Sequence, residues 1–267
     1  MAILTISREY GSGGRELGYA VSDLMDYEYI DKETIFKDIK EEGKKWIEWG
    51  EFIDEHNPSL WERYDWSFQG WVALMQYHIL NQALKNNVVI MGRGSNFLLA
   101  NVPYALRIRV KAPIEMRVKR IITRDSVDKK TARWLADKMD HERAGFIHSA
   151  YGKKVKDPKA YDMMINFSGK TIEETAKMLE IELKERDAFF DEDARYALEM
   201  KTLAAKIRSK ILTDASFLLP IFDVRYEEGK IILTGVTHSP DERKSIEDAA
   251  CGIAGKIPVK SMLHYRI

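Results

Sequence analysis

Glycines gathered between a strand-like run and a helix-like run, with arginines on either side, are the residues here best suited to chemistry. The stretch is Ser7-Arg8-Glu9-Tyr10-Gly11-Ser12-Gly13-Gly14-Arg15-Glu16. Glycines at such a junction let successive backbone N–H groups converge on a phosphate, and the following helix adds partial positive charge at its N-terminus. The stretch lacks the Gly-Lys-[Ser/Thr] ending of the usual phosphate-binding loop: it holds no lysine, and no hydroxyl follows the last glycine to hold magnesium. Arg8 or Arg15 is left to supply the cation, with the different reach and geometry of a guanidinium. The same glycines also suit a turn that only permits tight strand–helix packing.

Three further places fit around such a loop. Asp31 closes the short apolar run Tyr27 to Ile30. There a carboxylate faces the crevice in which α/β sheets bind ligands, and it either positions metal or an acceptor oxygen or caps the helix that starts at Lys32. Gly92-Arg93-Gly94 ends the apolar run Val88 to Met91. Its arginine either aims a fork of donors at a phosphate or base edge, or makes a surface ion pair. Then Arg117, Lys119, Arg120, Arg124, Lys129, Lys130, Arg133, Lys138 and Arg143 share one helical region with Asp125, Asp128, Asp137, Asp140 and Glu142. Most of these charges read as a salt-bridged surface, with two or three arginines serving as a lid over a transferring phosphoryl group.

The elements that must position these residues follow from apolar periodicity. Ala2 to Ile6 reads as a strand, and Leu17, Val21, Leu24 and Met25 fall at helical spacing after the glycines. Lys32 to Asn86 is helical, broken at Asn57-Pro58, and carries Trp46, Trp49, Trp61, Trp66 and Trp71, which read as core rather than as base-stacking platforms. Leu106 to Val110 and Met163 to Asn166 are strands, with helices from Ile114 to Arg124 and from Lys129 to Phe146 between them. Thr171-Ile172-Glu173-Glu174 opens another helix with a capping box. This alternation predicts an α/β fold, a parallel sheet flanked by helices. The remainder reads differently: a helix from Asp187 to Leu212, strands Phe222–Tyr226 and Ile231–Val236, a helix from Ser239 to Gly252, and a last strand from Val259 to Ile267. That order, α-β-β-α-β, predicts a small α+β unit, and the expected division is 1–190 and 191–267.

Composition narrows the partners. The 267 residues hold 42 Lys plus Arg and 42 Asp plus Glu, a formal net charge of zero, which argues against nucleic acid or an anionic membrane bound by bulk charge. The lone Cys251 excludes an internal disulfide and reads as a small core residue. The six histidines show no metal-ligand spacing. Glu16 breaks a dinucleotide-type Gly-x-Gly-x-x-Gly pattern. With no signal-peptide pattern and no apolar run near the roughly 20 residues of a membrane helix, a cytoplasmic protein without an integral membrane segment is expected.

In this order the motifs resemble the cytidylate kinase-like family of nucleoside monophosphate kinases. The resemblance rests on Ile6 to Gly18, Tyr29-Ile30-Asp31-Lys32-Glu33, Val89 to Gly94, and Ala112-Pro113 with Glu115 to Arg120. Arg124-Asp125 with Asp128, Tyr161-Asp162 and Ile165-Asn166 extend it, so that it covers roughly residues 2 to 185. It implies a P-loop-type sheet, ATP and Mg2+ as cofactors, and phosphoryl transfer to CMP or a related small phosphate acceptor beneath a closing lid. By position it implies that Gly11, Ser12, Gly13, Gly14, Arg15 and Glu16 wrap the ATP phosphates, joined by Arg143 from the lid. Asp31 and Arg93 would line the acceptor pocket, and Arg15, Asp31 and Arg124 would act in catalysis, with no residue assigned as a metal ligand. Arg133 would be a further lid member. The missing lysine, the missing hydroxyl and the Trp-rich insert between Asp31 and Val88 keep a second function open, a catalytically weak or inactive nucleotide sensor coupled to the C-terminal module. The tail resembles the BON domain through Phe222-Asp223-Val224, Gly229 to Val236, and Val259 to Met262. That resemblance implies a ligand-sensing, regulatory or dimerising appendage.

Overall fold

Ile3–Arg8 form β1, the middle strand of a five-stranded sheet in the computed structural model, which describes residues 1–53, 56–217, 219 and 221–265. There follow α1 (Gly14–Met25), β2 (Glu28–Ile30), α2 (Lys32–Lys40), α3 (Lys44–Ile53), α4 (Leu60–Tyr64) and α5 (Trp66–Ala83). Then come β3 (Val88–Met91), α6 (Ser95–Leu98), β4 (Ala105–Lys111), α7 (Ile114–Asp125), α8 (Lys129–Tyr151), β5 (Met163–Asn166) and α9 (Ile172–Asp187). The strand order is β2-β3-β1-β4-β5, and every neighbouring pair is parallel. A parallel strand covered on both faces reads as an unbroken apolar run, and Val88–Met91 is buried throughout. Leu17 and Val21 of α1 with Leu179 and Leu183 of α9 cover one face. Trp71, Leu74 and Ile79 of α5 cover the other, against Ile3, Val88 and Ile90.

Pairing carries β1 past the expected end at Ile6: Ser7 and Arg8 lie opposite Arg109 and Val110 of β4. On the other side Ile6 lies opposite Met91. Arg8 and Gly92 to Gly94 therefore meet where the connections from β1 and β3 leave toward opposite sides of the sheet, the crevice that such sheets use for ligands.

The C-terminal part begins with α10 (Glu192–Thr213), followed by β6 (Phe222–Glu227), β7 (Lys230–Thr237), α11 (Pro240–Ala254) and β8 (Val259–Tyr265). Its separate sheet runs β6-β7-β8, with the first pair antiparallel and the second parallel. The expected helix from Asp187 divides: α9 ends there, and the Asp191 carboxylate accepts from Ala194 N to start α10. α10 packs on both α5 and β6. α8 continues past Phe146 to Tyr151, where Gly152 at φ +63° closes it. The expected last strand reached Ile267; β8 ends at Tyr265, and Arg266 and Ile267 lie outside the described residues. Cys251 is exposed, contrary to its reading as core. Ile246, Ala250 and Ala254 form the buried stripe of α11, and Cys251 sits about 100° around the helix from Ala250. No helix among the described residues is long and apolar enough to cross a membrane.

The tryptophans of the insert divide between core and surface. Trp46 and Trp71 are buried, and Trp71 stands edge-on to Phe36 and Phe146 with centroids 6.3 and 5.9 Å away. Trp49 and Trp66 are half-buried, and Trp61 is 84% exposed. Trp71→Ala is expected to lower the unfolding free energy by about 3–5 kcal/mol. Trp61→Ala should change it by less than about 0.5 kcal/mol. Urea denaturation checks both, and equal losses would contradict this division.

Candidate active site

The glycine loop is shaped by the arginines around it. Gly11 and Gly13 have φ of +74° and +90°, in the left-handed region that favours glycine. A Cβ on Gly11 would lie 2.9 Å from the Arg117 carbonyl oxygen, and one on Gly13 3.1 Å from Arg120 Nη1. Gly14 has no positive φ; its constraint is space, since a Cβ there would lie 2.7 Å from Arg8 Cβ. Arg8 then continues toward β3, where a Cβ on Gly92 would collide with its Nη1. Two glycines thus make room for one arginine, which reaches from the end of β1 across the start of α1 to the end of β3.

Behind the loop, α7 and α8 hold it in place. Arg120 Nη1 donates to Ser12 O at 2.7 Å, and Arg117 Nε donates to Tyr10 O at 2.8 Å. Asp140 accepts from Tyr10 N at 2.8 Å and from Arg117 Nη2 at 2.5 Å, which closes a bracket around the Tyr10 peptide. Two guanidiniums lie over the Tyr10 ring, with Arg124 4.6 Å and Arg143 5.3 Å from its centroid. Arg124 also forks onto Asp125 at 2.7 and 2.8 Å, and this hydrogen bonding holds the Asp125 carboxyl below its usual pKa. Asp128 caps α8 through Lys130 N and Thr131 N.

These residues enclose a cleft of about 80 Å3 lined by the whole loop from Arg8 to Glu16 together with Arg120, Arg124 and Arg143. Five arginines stand there against Glu9 and Glu16. Gly13, the residue that precedes α1, has no side chain to cap it, so the first-turn N–H groups face the cleft without a side-chain acceptor. Ser12 Oγ is buried with no hydrogen-bond partner in the protein. Uncapped first-turn donors, net positive charge and three glycines at which a Cβ would crowd its neighbours suit a polyphosphate. The donor set does not suit a protein-held metal: no group of three or more His, Cys, Asp or Glu among the described residues could hold one. Arg15 occupies the place after the last glycine where a hydroxyl would be needed.

A second, smaller cavity of about 30 Å3 adjoins the first, lined by Ser7, Arg8, Arg93, Asn96 and Arg143 among others. Arg8 and Arg143 line both. Gly92, Arg93 and Gly94 all have positive φ, of +72°, +56° and +74°. The Arg93 guanidinium is buried 5.6 Å from the Phe36 ring centroid, and Tyr151 Oη donates to Arg93 O. Burial pushes the Tyr151 hydroxyl pKa up. Beneath this cavity Arg109, 3% exposed, donates to Ser7 Oγ at 3.0 Å, while its Nε has no hydrogen-bond partner. No carboxylate among the described residues forms an ion pair with Arg109.

Gly11 to Glu16, Arg124 and Arg143 thus share one cleft, and Arg93 shares the second cavity with Arg143. Arg15 and Glu16 are exposed on the first turn of α1. Asp31 lines neither cavity. Its Oδ1 accepts from Thr34 N and Thr34 Oγ1 at 3.2 and 3.3 Å, which makes it the N-cap of α2. Arg133, an expected lid residue, is instead exposed and paired with Glu115. Tyr10, Arg109, Arg117 and Arg120 carry much of the site; Arg117 and Arg120 were named by sequence only among the charges of one helical region and Tyr10 only within the glycine stretch, while Arg109 was missed. Arg117, Arg120 and Arg124 recur at helical spacing, a signal that they share the α7 face turned to the loop.

Residues 3–169 match the model of the family described as cytidylate kinase-like. A cytidylate kinase of Staphylothermus marinus is 24% identical over 179 residues, spanning 67% of this chain and 94% of that protein. A cytidylate kinase of Methanospirillum hungatei is 31% identical over 136 residues, spanning 51% of this chain and 69% of that protein. Among solved structures, an uncharacterized protein of Eubacterium ventriosum aligns with a TM-score of 0.54 at 21% identity and shares the fold, across 69% of this chain and 98% of that one. From the geometry, Arg120→Ala should weaken tripolyphosphate binding by about tenfold, the size of one charge-assisted hydrogen bond, while Arg133→Ala leaves it unchanged. Isothermal titration calorimetry checks the pair, and equal effects would contradict the assignment of Arg120 to the loop.

Proposed function

Because this chain belongs to the cytidylate kinase-like family, we propose that it transfers the γ-phosphoryl group of ATP to a nucleoside monophosphate of the CMP type or a related small phosphate acceptor. Relatives that are cytidylate kinases support nucleotide-dependent phosphoryl transfer in general. The observation that carries the reading to this site is the sharing of Arg8 and Arg143 by two adjoining cavities. Phosphoryl transfer requires a donor and an acceptor phosphate held close and in line, with charge neutralised between them.

In this reading the backbone N–H groups of Gly11 to Glu16 hold the donor phosphates, except that of Ser12, which donates to Glu9 O at 3.2 Å, with Arg15 at the outer edge. Arg8 takes the role of the absent lysine and spans to the acceptor side. Arg93 and the buried Arg109 attract the acceptor phosphate. An oxygen of that phosphate forms the new bond to phosphorus as the bond to the ADP oxygen breaks, and Arg124 and Arg143 neutralise the charge that spreads over the transferring group. Asp31 acts as a positioning residue: it starts α2, and α2 carries Phe36 against Arg93. Family membership implies ATP and typically Mg2+.

The same reading divides the chain into a nucleotide-binding unit, 1–190, and a BON-like unit, 191–267. The second has its own sheet, which supports the division, and an apolar cluster with Ile211, Phe222, Leu233 and Ile246 that Ala73 of α5 joins from the first unit. A second reading, nucleotide binding without turnover, is favoured by the lysine-free loop.

Consumption of ATP over a panel of nucleoside monophosphates separates the two readings. Turnover with CMP above the other acceptors is expected; ATP binding without turnover across the panel would overturn the enzyme reading. Arg143→Ala is expected to lower kcat by at least about a hundredfold, with ATP affinity changed by less than about tenfold, as fits a group that acts mainly in the transition state. Equal losses in kcat and ATP affinity would assign Arg143 to ground-state binding instead.

A further inference from the structure

A third cavity, of about 490 Å3, lies between α5, α10 and β6 and shares no lining residue with the two described above. Its volume falls within the range of pockets that enclose a small organic molecule. The walls are mainly apolar, with Leu80, Val102, Ala204 and Val224 contributing. At its mouth Tyr196 and Tyr226 stand edge-on with centroids 6.2 Å apart and hydroxyls 3.2 Å apart.

Two cations project among these apolar walls. Lys201 Nζ donates to Leu98 O, and among the described residues no carboxylate forms an ion pair with it. Burial lowers the Lys201 pKa. Arg208 Nη1 donates to Gln76 Oε1 at 3.2 Å, and its Nε is ion-paired with Asp223 Oδ1 at 3.4 Å, although it is buried and makes no hydrogen bond. Asp223 is itself largely exposed. Arg225, also on the wall, is paired with Glu227 at 3.0 Å. An ammonium satisfied by one carbonyl and a guanidinium with an unmet donor are unfavourable in an apolar pocket, and an anion in the cavity would relieve both. An apolar body would in turn displace water from the walls.

We propose that this cavity is a binding site for a small organic anion, with its charged head against Lys201 and Arg208 and an apolar or aromatic body between Leu80 and Val224. The shared chemistry of the ligand is one acidic group, carboxylate or phosphate, on an apolar frame. Because α10 packs on both α5 and β6, such a ligand touches the kinase-like part and the C-terminal sheet together. The proposal does not depend on phosphoryl transfer.

The test uses the full chain and two probes of the same frame, 1-anilinonaphthalene-8-sulfonate and the uncharged N-phenyl-1-naphthylamine, followed by fluorescence and calorimetry. The sulfonate is expected to bind one per chain and about tenfold or more tighter than the uncharged amine, from the loss of one charge-assisted contact. Lys201→Gln should remove that difference and Lys201→Arg should restore it. Ala197→Trp, at an exposed position on the cavity wall, should block both probes, with circular dichroism to check that the chain is folded. Competition with octanoate and with phenyl phosphate identifies the head group, and displacement by either supports the site. No saturable binding, sulfonate affinity unchanged in both Lys201→Gln and Ala197→Trp, or displacement by neither competitor would overturn it.

Discussion

The path of Arg8 is the constraint around which the site is arranged. Its stem crosses Gly14 and its head rests on Gly92, so neither position has room for a Cβ. Gly14 begins α1 with no positive φ, and so it is glycine for space alone. A lysine at that position, as in the usual phosphate-binding loop, and an arginine at position 8 in this pose exclude one another. The cation reaches the crevice from the central strand instead of from the helix. The extension of β1 through Ser7 and Arg8, paired with Arg109 and Val110, gives that cation a rigid base.

The remaining arginines follow from the same geometry. Gly11 and Gly13 press against Arg117 and Arg120, whose guanidiniums in turn hold the Tyr10 and Ser12 carbonyls. Tyr10 then presents its ring to Arg124 and Arg143, which ties the end of α7 and the middle of α8 to the loop. A chain with a formal net charge of zero thereby concentrates positive charge in one crevice. Held in a small cleft with partly buried walls, those charges act on a phosphate more strongly than they would on an open surface.

Much of this was legible in the sequence, and the gaps have physical causes. The strand buried on both faces, Val88–Met91, read clearly, and the edge strand Met163–Asn166, of which only Ile165 is buried, also falls where its short run placed it. The capping box at Thr171 is formed as its spacing implies. Arg109 was hidden because a charged residue within a strand pattern suggests an exposed edge. Its burial depends on Ser7 and on Tyr161, whose ring centroid lies 5.8 Å from its guanidinium, contacts that only the tertiary fold creates. By position Asp31 fitted a helix cap better than a crevice carboxylate, and its bonds to Thr34 form that cap. Cys251 shows the limit of composition, since α11 is amphipathic and Cys251 falls on its outward face beside the Ile246, Ala250 and Ala254 stripe.

The central claim is that Arg8 and Gly14 together replace the missing lysine, and a double-mutant cycle on ATP affinity tests it directly. Arg8→Ala removes the cation, and Gly14→Lys alone collides with the Arg8 stem, so each single variant should bind ATP more weakly. Arg8→Ala with Gly14→Lys should bind ATP at least about tenfold more tightly than the two single losses predict when added. Strict additivity of the two losses would contradict the account.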